Sequence, residues 1–157
     1  MLQALQSLPP RARAWLFLTV ALGLHVIDEA SNDFLTTFYN PMVLSLREQL
    51  GWFPMPTFTF WPWLIGLTLA VLLLFALVPS VARGGRWVKP FGYFFAALML
   101  LNGIGHIAFA ITEGRMVAGV WTAPLLLAAS VYLLKALSQT TTPPQTNADT
   151  IASSRGP

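Results

Sequence analysis

The sequence predicts an all-α fold, an integral membrane four-helix bundle, and three observations predict it. Charged residues make up 10% of the 157-residue chain and apolar ones 55%, whereas an ordinary soluble domain carries about 25% charged residues. The charges lie between long apolar blocks, each near the 18 or more residues that read as a membrane span. The few polar groups inside those blocks fall at helical spacing, i and i+4. The chain has no cysteine, which excludes disulfides, thiolate metal sites, haem attachment through CxxCH and a cysteine nucleophile. Its net charge of +3 is scattered around apolar blocks, so nucleic acid is not an expected partner.

The first span is expected at about residues 11–30. Its apolar part, residues 14–27, is short, but the Asp28-Glu29-Ala30-Ser31 that follows fits a signal-peptide cleavage site poorly. An uncleaved helix is therefore expected, with Arg11 and Arg13 snorkelling at one end. Residues 31–57 are too many for a tight connection and contain a short amphipathic stretch, 41–50, in which Leu44, Leu46 and Leu50 alternate with Ser45, Arg47, Glu48 and Gln49. Trp52, Phe53, Phe58, Phe60 and Trp61 follow, so this loop should rest on the interface or fold back over the bundle. The second span, 58–82, holds no charge. The third, 91–112, is interrupted only by Asn102 and His106, and the fourth, 117–135, ends at Lys135. Residues 1–137 then form one four-span domain. The Ser/Thr/Pro/Gln-rich residues 138–157 are expected to be a disordered polar tail.

Basic residues orient the bundle. Arg11, Arg13, Arg83, Arg86, Lys89, Lys135 and Arg155 share one side, and Arg47 and Arg115 the other. The positive-inside rule puts both termini in the cytoplasm, and the expected location is the plasma (cytoplasmic) membrane.

Both histidines fall inside spans, each with a polar companion one turn away. His25 and Glu29 are i and i+4 in His-Val-Ile-Asp-Glu, and so are Asn102 and His106 in Asn-Gly-Ile-Gly-His. A rise of 1.5 Å per residue from Arg11 and Pro90 puts His25 about 21 Å deep, Glu29 about 27 Å, Asn102 about 18 Å and His106 about 24 Å. In a hydrocarbon core of about 30 Å these lie at one level, in the outer-leaflet half. Ionisable groups there cost at least about 2.5 kcal/mol each near the centre, so they must face one another, a metal or water. Gly103 and Gly105 should let a helix or ligand approach Asn102 closely. Asp28 reads either as a further site group or as the hydrated end of the first helix, and Glu113 either as a further ligand or as an interfacial charge.

The string His25-x-x-Asp28-Glu29 resembles the signature of the HXXEE-domain family of small multi-span membrane proteins. Asn102-Gly-Ile-Gly-His106 resembles that family's later Asn and His positions, and Gly119-Val-Trp-Thr122-Ala the stretch opening its last span. The likeness spans about residues 12–137. Asp28 replaces the first Glu of the pair, which shortens one carboxylate's reach. The resemblance implies four spans and suspected enzymatic activity, without a defined reaction.

Three functions are compatible with these residues. The first is a metal-dependent enzyme, a hydrolase or oxidoreductase acting on an amphiphilic or lipid-like substrate. One divalent metal (Zn, Fe or Mn) would be held by His25, Glu29 and His106, and Glu29, Asp28 and Asn102 would be the catalytic groups. The second and fourth spans supply no carboxylate or His, which fits one metal better than a di-iron centre. The second is a metal-free acid–base isomerase in which Glu29 and His25 exchange protons. The third is non-catalytic: an accessory subunit docked on a partner membrane protein, or a lipid- or metal-binding protein. A serine hydrolase lacks its GxSxG, and a transporter lacks visible repeats.

Overall fold

A computed structural model describes residues 6–139, and among these every regular element is a helix. The first, α1 (Pro10–Ser31), starts on a proline at its first turn, where the missing N–H costs no helical bond. A π-helical turn (Leu35–Tyr39) leads directly into α2 (Asn40–Leu50). The widening has a local cause. Pro41 has no N–H for the carbonyl one turn back, and just before it the Asn40 N–H bonds to the Leu35 carbonyl instead. Side chains of the π turn and α2 then pin the irregular residues 51–59. Asn40 exchanges two hydrogen bonds with the Phe58 backbone (2.8 and 3.1 Å), the Tyr39 hydroxyl donates to the Pro56 carbonyl (3.0 Å), and Arg47 donates to the Met55 carbonyl. The expected short helix is present, and the irregular residues after it fold back against it.

The second apolar block forms α3 (Phe60–Ala76) and α4 (Val78–Arg83). The break falls just before Pro79, which has no N–H for the preceding turn. Taken together, 60–83 remain one apolar rod. The third block forms α5 (Val88–Glu113) and the last α6 (Ala123–Ser138). The fourth span was expected from residue 117. Residue 117 is irregular and 118–122 are turns, and the helix begins only at Ala123. Gly119 has φ +80°, a left-handed conformation that breaks a helix and favours glycine. The expected tail from 138 lies, beyond residue 139, outside the described residues.

Helix α1 is central: it packs on α3, α4 and α6, while α5 packs mainly on α6. Their common core contains Trp15, Leu18, Phe95, Met99, Leu126 and Leu133. Two glycines set the α5–α6 approach. A Cβ on Gly92 would lie 2.7 Å from Leu137, and one on Gly103 would lie 2.9 Å from Leu127 and 3.3 Å from the Ala123 carbonyl. Gly103 thus permits the close approach its sequence position suggested. Gly105 meets nothing within 4 Å and faces open space.

The outer surface is membrane-like. Ile27, Ile65, Leu69, Leu72, Leu73, Phe94, Leu101 and Ile111 are exposed, a belt of a kind that soluble monomers do not present. Among the described residues three helical segments, Pro10–Ser31, Phe60–Arg83 and Val88–Glu113, are long and apolar enough to cross a membrane, and Ala123–Ser138 is a shorter apolar helix.

Trp15 fastens the half of this bundle away from the ends of α1 and α5. It is fully buried, and its indole N–H donates to the Leu74 carbonyl (2.9 Å) near the α3 break. Trp15→Phe is expected to leave that carbonyl unsatisfied at a cost of about 2 kcal/mol. A thermal scan in detergent should show a lowered melting midpoint, while the distant His/Glu/His group described below is unaffected.

Candidate functional site

Four segments converge near the end of the bundle where α1 and α5 finish. From α1 come His25 and Glu29, one turn apart on the face turned to the interior. From α5 comes His106, and from the turn before α6 come Ala118, Gly119 and Thr122. The π-helical segment closes the side. His25, Glu29 and His106 are all buried, at 1%, 5% and 6% exposure.

The geometry fixes which ring nitrogens are available. His106 Nδ1 lies 2.7 Å from the Ala118 carbonyl oxygen, which can only accept, so Nδ1 carries the proton. His25 Nδ1 lies 2.8 Å from the Thr122 hydroxyl oxygen. That hydroxyl is also 2.9 Å from Asp28 Oδ2, so it donates to the carboxylate and accepts from His25. Both rings are thereby set in one tautomer, with Nε2 turned toward Glu29. His106 Nε2 is 3.0 Å and His25 Nε2 3.5 Å from the same oxygen, Glu29 Oε1. The rings meet edge to face, their centroids 4.6 Å apart.

Three electron-pair donors therefore point at one another, with their ring protons directed elsewhere. His25 Nε2 and Asn102 Oδ1 are both buried, and apart from the approach of these two side chains to each other neither has a hydrogen-bond partner. Such an arrangement needs a proton or a cation between its members. One ligand atom from each of His25, Glu29 and His106 lies within 4.8 Å of the others. Tetrahedral ligands at about 2.05 Å from zinc stand about 3.3 Å apart, a value bracketed by the two His–Glu distances. The three residues lie close together and could bind a metal.

The other predicted groups stand differently. Asp28 does not join the three. Its Oδ2 accepts from the Thr122 backbone N–H (3.2 Å) and hydroxyl, and its Oδ1 from the Asn32 amide (3.0 Å). The shorter side chain thus holds the start of α6 and reaches His25 only through Thr122. Glu113 is exposed at the end of α5 and pairs with Arg115 (3.4 Å). The helical turns between it and His106 carry it out of the interior and away from the three.

Sequence reasoning did not assign Thr122, the Ala118 carbonyl or Gly119 a role in the site. Thr122 had a readable signal, as a Thr just before an apolar helix with proline in its first turn. The Ala118 carbonyl had none. Phe34 and Phe38 were also unassigned. Their rings lie 5.1 and 6.4 Å from His106, and Phe34 packs with Leu35 and Trp63 in a second apolar cluster. They wall the group off from water.

The fold and site together define a membrane-type helical bundle with an internal His/Glu/His group. The chain matches, over residues 15–133, the sequence model described as "Protein of unknown function with HXXEE motif", and it belongs to that HXXEE family. No curated protein and no solved structure matches it.

Proposed function

We propose that this protein is a membrane enzyme that uses one divalent metal, zinc, iron or manganese, to act on an amphiphilic or lipid-like substrate. One observation carries the reading: two buried imidazoles, each oriented by an Nδ1–H bond, turn their bare Nε2 atoms on one carboxylate oxygen. Orientation of a ligand histidine by a carbonyl or a carboxylate-linked partner is the usual support of metal-binding histidines. Two imidazoles and a carboxylate are a ligand set for catalytic zinc or non-haem iron that leaves a position open.

A metal held there would supply Lewis-acid activation of a carbonyl and of water. The chain's own residues do the rest. Glu29 offsets positive charge in a low-dielectric interior. Thr122 and Ala118 keep both rings in register. Asn102, whose side chain stands against His25, is placed to orient that ring or a substrate N–H beside it. Phe34 and Phe38 exclude bulk water. The substrate class follows from the setting, since the group lies within an apolar belt that an amphiphile reaches more readily than a water-soluble compound does. In this reading α6 and the turns before it complete a fourth crossing of the plasma membrane, and the basic residues near the ends of α1, α4 and α6 face the cytoplasm.

Metal content per chain, measured on purified detergent-solubilised protein after reconstitution, tests the proposal. About one zinc, iron or manganese per chain is expected, lost in both His25→Ala and His106→Ala while the variants still elute as folded protein. A well-folded parent that retains none of the three overturns it. The 3.0 Å His106–Glu29 contact also has the length of a charge-assisted hydrogen bond and so favours, as a second reading, metal-free proton transfer. That reading expects turnover in a metal-free parent, lost in Glu29→Gln.

A further inference from the structure

A recess of about 220 Å³ lies beside the His/Glu/His group, between the segment after α1 and the turns before α6. Asp33 and Arg115 line it with opposite charges, and Phe34, Phe38, Phe109 and Trp121 supply aromatic surface. The two charges do not pair with each other. Arg115 reaches Glu113 at 3.4 Å, both largely exposed, and Asp33 is in none of the ion pairs among the described residues. Asp33 is held at φ +54°, its carbonyl accepting from the N–H groups of Thr36 and Thr37 and from both hydroxyls. A non-glycine residue at positive φ is uncommon and marks a conformation imposed by its surroundings.

We propose that this recess binds the head of a zwitterionic amphiphile, the phosphate meeting Arg115 and the ammonium meeting Asp33 and the aromatic rings. Opposite charges that line one recess without pairing with each other match a ligand that itself carries separated opposite charges. Arginine binds phosphate oxygens through charge-assisted hydrogen bonds, and aromatic faces beside a carboxylate suit an alkylated ammonium. Ligand pockets for whole drug-sized molecules run to about 300–1,000 Å³, so this volume fits a head and not a whole lipid. The level is also right. The recess lies where α1 and α5 end, at Ser31 and Glu113, with Trp121 exposed on its rim, as expected at the headgroup layer. Its wall is shared with the site, because Phe34 and Phe38 face His106 and Ala118 accepts its Nδ1–H bond. A head seated here brings the bonds next to it closest to His106. The inference deepens the proposed function by naming the substrate's head, and it rests on that reading for the chemistry that follows binding.

Calorimetric titration of the full chain in maltoside micelles tests it. The probes are dihexanoyl-phosphatidylcholine, dihexanoyl-phosphatidylglycerol and glycerophosphocholine, each below any micelle concentration, with metal counted in the same preparations. The choline lipid is expected to bind about tenfold or more tighter than the glycerol lipid. Asp33→Asn should erase that preference, and Arg115→Gln should weaken both lipids. Glycerophosphocholine binding as tightly as the lipid would assign a soluble head-bearing ligand. Weaker binding would assign a membrane lipid, and both results support the head site. Equal binding of the two lipids, a preference for the glycerol lipid, or a preference unchanged in Asp33→Asn overturns it. A chain that holds metal but does not discriminate heads refutes this inference alone, and one that discriminates heads without metal refutes only the metal enzyme.

Discussion

Gly119→Ala is expected to abolish the proposed metal retention while leaving the helical bundle folded. A Cβ at this position would lie 2.5 Å from both Cε1 and Nδ1 of His106 and 2.9 Å from Cε1 of His25. Real side chains do not tolerate such distances, so at least one ring must leave its place. The backbone adds to the effect, because φ is +80° and alanine is strained there by about 1–2 kcal/mol. Neither ring has room to yield: His106 is packed against Phe34 and bonded to the Ala118 carbonyl, and His25 is bonded to Thr122. Metal content should fall below detection, with a lowered melting midpoint and unchanged far-UV helicity. Retention of one metal per chain would show that the turn is not what seats the rings. The contrast is Gly105→Ala, which meets nothing within 4 Å and should retain full metal content.

The second large effect is expected from Thr122→Val. The hydroxyl stands between Asp28 Oδ2 at 2.9 Å and His25 Nδ1 at 2.8 Å, so its removal strips both of a partner while conserving volume. Asp28 keeps the Thr122 backbone N–H and the Asn32 amide. His25 keeps nothing on that side, and its ring is no longer held to the tautomer with Nε2 free. Metal affinity should fall about 10–100-fold, the usual consequence of removing a group that orients a ligand histidine. Stability should fall by about 1–3 kcal/mol for the buried group left unsatisfied. Thr122→Ser should restore the affinity, because it restores the hydroxyl. Competition with a chelator of known affinity reads the first effect and a thermal scan the second. Valine and serine variants with equal affinity would refute the orienting role.

The residues differ in how far they could be read ahead of the fold. Each apolar block is helical in the structure, the second as two helices broken before Pro79, because a run without charges that must satisfy its own backbone has few alternatives. The first helix, expected from about residue 11, begins at Pro10, and the short helix ending at Leu50 was legible from the amphipathic pattern. The start of α6 was not. Val117–Val120 is as apolar as a helix, and only the left-handed Gly119 interrupts it.

His25, Glu29 and His106 were legible as a set because the cost of ionisable groups in an apolar block demands that they meet, and helical rise put them at one depth. That reasoning uses only distance along a helix axis. Rotation about the axis and the course of the connecting chain are invisible to it, and they separate the remaining residues. Glu113 is seven positions from His106 yet lies beyond the end of the packed region, exposed beside Arg115. Asp28, next to Glu29 in sequence, points to the start of α6. Thr122 and Ala118 act through one hydroxyl and one backbone carbonyl, and a sequence does not reveal where a carbonyl points.

What the sequence determined by itself was the class of the protein and the identity of the three converging groups, since hydrophobicity and helical spacing are properties of residues in order. Only the tertiary structure decided the ring tautomers, the role of Asp28 as a support and the recess beside the site, because these depend on atoms from segments about 90 residues apart, as in the Thr122–Asp28 bond, meeting within hydrogen-bond distance.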